Sequence, residues 1–292
     1  LEPRVEPAEP SAKTRAFNRN LAARIASATI LVPTVLAAIW SGGGPFLLMI
    51  AIAVGLLSIE WAKMSAPDAP AEVAVTITVA VLCSVFAAYK DLYPLAWWLT
   101  GAGAIVAGFA SRHRTERAAD AGYGVIYIAP AILTMVWLRS TATEDQFHLI
   151  PGPGLSWTLA LFAVTWAADI GAYAVGNVFK GPKLWPRISP NKTWSGFFGG
   201  LVCASLAAWG LSAVLPNLNL SPIAALLVGF LGGLATMAGD LWESILKRRF
   251  GVKDSGQLIP GHGGLLDRVD GLMFAAIVVA GCRFAVNQGW VS

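Results

Sequence analysis

Between Asp240 and Asp270 the chain reads DLWESILKRRFGVKDSGQLIPGHGGLLDRVD, a run whose residue types suit phosphate chemistry. Lys247, Arg248, Arg249 and Lys253 make a dense cationic patch, followed by Gly261-His262-Gly263-Gly264 and then by Asp267 and Asp270. Glycines permit backbone conformations in which successive N–H groups converge on an anion. Asp267 and Asp270, at i and i+3, share a face at the start of an apolar run. They read either as caps and dipole partners of a first helical turn or, together with Asp240, as oxygen ligands for Mg²⁺. His262 reads equally as a proton carrier, a phosphate donor or a structural residue. The basic patch has a plainer reading as a juxtamembrane contact for anionic lipid head groups.

Should the preceding helix continue past the membrane, Asp240, Ser244 and Lys247 fall at i, i+4 and i+7 on one face. Glu243 and Lys247 then read as an ion pair on a solvated helix end. Asp240 follows directly on an apolar run, where an ionisable group is costly and tends to be functional. Cations to grip phosphates, glycines for close approach and carboxylates for a metal are the parts that phosphoryl or nucleotidyl transfer uses. Residue chemistry alone reaches Mg²⁺-dependent phosphate chemistry at an inner membrane face. A polyphosphate-binding protein that performs no reaction would use the same parts.

The elements that must position these groups are membrane spans. Hydrophobic residues make up 56% of the chain and charged ones 13%, too few charges to cover a soluble surface. A span needs about 20 mostly apolar residues. The pattern predicts an all-α polytopic membrane protein with nine spans, at 21–40, 45–62, 73–89, 92–111, 121–138, 155–179, 196–215, 221–239 and 271–287. Residues 1–20, rich in Pro, Glu and Ala, read as a flexible tail with no cleavable signal ahead of the first span. Residues 21–138 read as lipid-facing framework or a homo-oligomer surface. Residues 139–292 read as the catalytic membrane domain, with polar loops at 180–196 and 240–270.

With the N-terminus in the cytoplasm, 18 of the 21 Lys and Arg fall on the cytoplasmic side, leaving Lys90, Arg139 and Arg283 on the other. That segregation follows the positive-inside rule and puts both polar loops on the cytoplasmic face, where nucleotides are found. Cys83, Cys203 and Cys282 sit inside apolar runs and read as small buried hydrophobes rather than a disulfide or metal set. A net charge of +4 is modest, and no nucleic-acid partner is expected.

At these residues the sequence resembles the phosphatidate cytidylyltransferase (CDP-diacylglycerol synthase) family. The family signature is met without a break by Ser244, Leu246, Lys247, Arg248, Lys253, Asp254, Gly256, Ile259, Pro260, His262, Gly263, Gly264, Leu265, Asp267, Arg268, Val269 and Asp270. A second stretch is similar too: Asp169 and Tyr173 in the sixth span, then Ile188-Ser189-Pro190-Asn191-Lys192-Thr193-Trp194. Ser195 stands where relatives often carry Glu, and the order Phe179-Lys180-Gly181 also departs from the family pattern. The resemblance is dense over 167–270 and architectural before that.

The resemblance implies CTP and phosphatidate as substrates and pyrophosphate release, while the compact single-chain layout suggests a bacterial inner membrane. It implies catalytic roles for Lys247, Arg248, Lys253, Asp254, His262 and Arg268. Substrate contact is implied for Asp169, Tyr173, Ser189, Lys192, Thr193, Ser244, Gly263 and Gly264. Mg²⁺ is implied near Asp240, Asp267 and Asp270, with a second metal or a monovalent cation left open. Three rivals remain at this stage: a transferase acting on an ether-lipid phosphate, a transporter with Asp169 and Asp240 along its path, and a non-catalytic lipid-binding scaffold. The scaffold would need the basic patch but not the paired aspartates, and the transporter would need carboxylates near mid-membrane.

Overall fold

The computed structural model describes residues 29–112, 118–140, 152–258 and 263–290. The described residues form a bundle of nine helices: α1 (Thr29–Ser41), α2 (Gly43–Ser65), α3 (Pro70–Tyr89), α4 (Tyr93–Ser111), α5 (Ala118–Arg139), α6 (Pro153–Phe179), α7 (Trp194–Val214), α8 (Pro222–Arg249) and α9 (Leu266–Asn287). The helices α2 to α9 are each long and apolar enough to cross a membrane. The protein is an all-α polytopic membrane protein. Of the first expected span, the described part is α1; the tail at 1–20 lies outside the described residues.

Hydropathy placed α2 to α7 within a few residues of their observed ends, because the bilayer itself demands the apolar length. It misplaced the ends beside the chemistry. The eighth helix runs ten residues past the expected Gly239, and the ninth starts five residues before the expected Gly271. At 1.5 Å per residue α8 is about 42 Å long, more than the roughly 30 Å of hydrocarbon, so its charged end projects beyond the apolar layer. The second polar loop therefore shrinks to the residues between Arg249 and Leu266.

The first polar loop is also more ordered than expected. Pro182, Pro186 and Pro190 recur every fourth residue and exclude a helix. Instead Lys183–Trp185 and Ser189–Thr193 pair as a small antiparallel hairpin, β1 and β2, with Lys183 opposite Thr193 and Trp185 opposite Ser189. The hairpin delivers the chain from the end of α6 to the start of α7.

Contacts between distant residues sort the helix ends. Glu60 near the end of α2 meets Leu265 and Leu266 at the start of α9. Asp120 in the first turn of α5 pairs with Arg249 at the end of α8. At the opposite end, Arg139 donates to the carbonyls of Ile39 and Trp40 where α1 finishes. Arg283 there donates to the carbonyls of Trp137 and Leu138 and lies over the Trp137 ring. Both polar segments thus stand at one end, and two of the three cations expected on the other side are found there.

The helices α2 to α5 differ in how far they are enclosed. Helix α5 is the most enclosed of these spans, whereas α4 is the least and presents Trp98, Ile105 and Phe109 outward. Trp61 of α2 packs against Tyr123 and Tyr127 of α5 and against Phe250 after α8, and its indole N–H donates to the Asp120 carbonyl at 2.9 Å. The first half of the chain therefore buttresses the charged end of α8.

Helices α8 and α9 cross at two glycines. A methyl group on Gly239 would collide with the Asp270 carbonyl and lie 3.1 Å from the Gly271 Cα; one on Gly271 would lie 2.7 Å from Thr236 Cγ2. Small residues let membrane helices approach this closely. The crossing matters because each glycine is next to an aspartate, Asp240 on α8 and Asp270 on α9. Gly239→Ala is expected to cost about 1–3 kcal/mol through overpacking and to lower activity with it. Thermal unfolding in detergent checks the first effect, and an unchanged transition temperature would contradict the crossing.

Candidate active site

The charged side chains at this end form two neighbouring groups. The first gathers around Asp240. Lys192, from β2, makes an ion pair with Asp240, a charge contact outside hydrogen-bond geometry, and both side chains are partly enclosed. Asp270 lies within electrostatic range of Asp240, Asp169 and Lys192, and Asp169 within range of Arg268. Asp270 Oδ1 accepts from the N–H of Gly271 at 2.7 Å. Asp169 and Tyr173 lie one turn apart on the exposed side of α6.

The second group gathers around Lys247. Its ammonium is held between Glu243, one turn back on α8, and Asp267 Oδ1 on α9 at 2.7 Å. Asp267 Oδ2 also accepts from the N–H and hydroxyl of Ser255, at 3.0 and 2.9 Å, and from the N–H of Gly264 at 3.2 Å. Glu243 is 1% exposed, so it is not the solvated helix-end residue that the sequence suggested. Burying this triad is tolerable only because each charge has an opposite partner.

The glycine turn also differs from its expected use. Its N–H groups do converge on anions, but on the protein's own: Gly264 on Asp267, and Leu265 and Leu266 on Glu60. Gly264 has a steric reason as well, since a Cβ there would run into Ser255 Oγ and stand 3.0 Å from Glu60 Oε1. Gly263 has a positive φ of 88° that only glycine adopts freely.

Other expected residues are placed as follows. Arg248 is exposed at the end of α8 and reaches the Val252 carbonyl at 3.4 Å; Lys253 and Asp254 are exposed on the loop, and Arg268 is exposed on α9. Ser244 is partly buried on α8, and Ser189 opens β2 opposite Trp185. Thr193, expected to touch substrate, is buried and is the N-cap of α7, its hydroxyl accepting from the N–H of Gly196 at 3.1 Å. Ser195, given no role from sequence, donates to the Lys180 carbonyl and bonds Thr193 Oγ1, fixing the hairpin on α7. His262 lies outside the described residues.

For a divalent cation, the three expected aspartates divide. Asp240 and Asp270, with Asp169 nearby, are hard oxygen donors on converging elements, and their donor chemistry fits such an ion. Asp267 does not fit as placed, because both its oxygens are committed to Lys247, Ser255 and Gly264. Among the described residues, no three acidic, histidine or cysteine side chains stand close enough together to form a ready-made metal cage.

Two comparisons bear on this arrangement. The cytidylyltransferase family model matches residues 22–285, nearly the whole chain. The chain belongs to the cytidylyltransferase family. Relatives named phosphatidate cytidylyltransferase include one from Brucella suis biovar 1, 36% identical over 289 residues, covering 89% of this chain and 92% of that protein. One from Pseudomonas aeruginosa is 36% identical over 276 residues, covering 91% and 98%. One from Staphylococcus haemolyticus is 47% identical over 128 residues, covering 44% and 49%. Membership in the cytidylyltransferase family makes the protein a nucleotidyltransferase, built on helices that can span a membrane.

Sequence reasoning gave no site role to four groups that this cytidylyltransferase brings to the site. Ser255 was passed over, and Glu243 was read only as half of a solvated ion pair with Lys247. Tyr127 of α5 buries a hydroxyl with no hydrogen-bond partner among the described residues, within electrostatic range of Asp270 and Glu243. Glu60 was the most legible of the four: a lone carboxylate inside an apolar span is as costly as Asp240 and called for the same argument.

Proposed function

We propose that the protein transfers the cytidylyl group of CTP to phosphatidate, giving CDP-diacylglycerol and pyrophosphate for phospholipid synthesis. The carrying observation is the convergence of the two polar segments at one end of the bundle, where Lys192 meets Asp240 and Lys247 meets Asp267. The names of the relatives support the substrate pair. The 18 basic residues assigned to this side support a cytoplasmic orientation, with access to CTP, in a bacterial inner membrane.

In the proposed reaction an oxygen of the phosphatidate phosphate attacks the α-phosphorus of CTP. The new P–O bond forms as the α–β P–O bond breaks, and pyrophosphate leaves with the electron pair. The nucleophile is already an anion near pH 7, so no general base is required. The difficulty is bringing two anions together, and Lys192, Lys247, Arg248, Lys253 and Arg268 meet it by neutralising phosphate oxygens. Lys192 and Lys247 also pair with carboxylates, so a bound polyphosphate competes with Asp240, and with Glu243 and Asp267, for these cations. Asp240 and Asp270 would hold a divalent cation, which when bound supplies further charge neutralisation at the phosphates.

Purified protein incubated with labelled CTP, phosphatidate and Mg²⁺ is expected to form a CDP-lipid and pyrophosphate in equal amounts. Chelation is expected to stop product formation and Mg²⁺ to restore it. A transporter or a lipid-binding scaffold yields no CDP-lipid in this assay, and that result refutes the proposal. Parallel assays with ester- and ether-linked lipid phosphates separate the two transferase readings.

A further inference from the structure

Glu60 is a fully buried carboxylate near the end of α2, 0% exposed. Oε1 accepts from the N–H of Leu265 at 2.8 Å and Oε2 from the N–H of Leu266 at 2.7 Å. These amides open α9 and have no partner within that helix's own ladder. A negative charge at a helix N-terminus is also favoured by the backbone dipoles. Glu60 is therefore a cap supplied from another helix. The same carboxylate stands beside Ser255 Oγ at 3.5 Å, and Ser255 donates to Asp267. Close packing leaves the turn no alternative seat: a Cβ on Gly256 would lie 2.7 Å from Glu60 Oε1, and one on Gly264 3.0 Å from it.

We infer that Glu60 is a positioning residue for cytidylyl transfer: it clamps the start of α9 and the glycine turn, and so sets where Asp267 holds Lys247. The inference rests on the proposed reaction. Glu60 touches no reacting atom and acts through the loop. Each of the two adjacent N–H donors has its own acceptor oxygen, an arrangement that a carboxylate supplies. Glutamine keeps the size but offers one acceptor and turns its NH₂ toward an N–H. Aspartate keeps both oxygens and withdraws them by one methylene.

The test compares wild type, Glu60→Gln, Glu60→Asp and Ser58→Ala in detergent or nanodiscs. Ser58 is a control on the same helix, buried and, among the described residues, bonded only to the Val54 carbonyl one turn back. Three measurements are made: kcat and KM for both substrates, hydrogen–deuterium exchange by peptide, and thermal unfolding. Glu60→Gln is expected to lower kcat by about 10- to 100-fold, the range for outer supporting partners of a site. Its KM for phosphatidate should move less than about threefold, since alignment rather than uniform binding is lost. Exchange should rise in peptides within 255–270 and stay unchanged in α7. Glu60→Asp should recover part of the kcat, and Ser58→Ala should match wild type throughout.

Wild-type kcat and exchange in folded Glu60→Gln overturn the inference. So does a loss of kcat accompanied by faster exchange over the whole bundle, which marks a purely structural role. If Glu60→Gln does not fold, Glu60→Asp decides: reduced kcat with the local exchange signature supports the clamp, and wild-type values in both overturn it. A wild-type protein that makes no CDP-lipid refutes the transfer reading alone. Exchange needs no turnover and still reports whether Glu60 holds the turn.

Discussion

Asp267→Asn is expected to abolish CDP-lipid formation, a loss of at least about 10³-fold, comparable to removing a central electrostatic group from an active site. Asp267 joins α8, the loop and α9 through Lys247, Ser255 and Gly264. An asparagine has one acceptor oxygen where the aspartate has two, and its NH₂ would face donors. Its neutrality would leave Lys247 with Glu243 as its single anionic partner in this group. The protein should still purify as a folded species, because most of the buried apolar core comes from α2 to α6 and keeps every contact. Labelled-CTP assays with size-exclusion profiles check both halves. Full turnover in the mutant would remove Asp267 from the mechanism.

The second large effect concerns Lys192 and Asp240, which tie the hairpin to α8. Lys192→Met and Asp240→Asn are each expected to lower kcat/KM by about 10²-fold. The two losses should not multiply in the double mutant, because groups in direct contact couple. A double-mutant cycle on kcat/KM makes the measurement. If the losses do multiply, the two residues act separately and the ion pair is incidental.

How much of this was legible beforehand follows from where each signal resides. The number and order of α2 to α9 could be read because a bilayer imposes a length and a composition on every span. The projecting end of α8 entered only as a conditional, because residues 240–249 are helical yet rich in charge, and hydropathy stops at Gly239. The hairpin was hidden by prolines that forbid a helix without specifying a strand. The aspartates and lysines of the site stood out, since charges in an apolar chain are few. Their pairing did not, because Asp169, Lys192, Asp240 and Asp270 come from three helices and a strand. Glu60 shows the limit most sharply: its partners lie 205 and 206 residues downstream, and no local pattern links them.

That separation has a consequence for biogenesis. Segments enter the membrane in the order of synthesis, so the glutamate arrives long before the amides that will neutralise its cost. Until then it is an unpartnered acid at the edge of the lipid. The hairpin of α8 and α9 quenches it, closing the bundle and its charged end in one step. A polypeptide without α9 would leave that acid unsheltered.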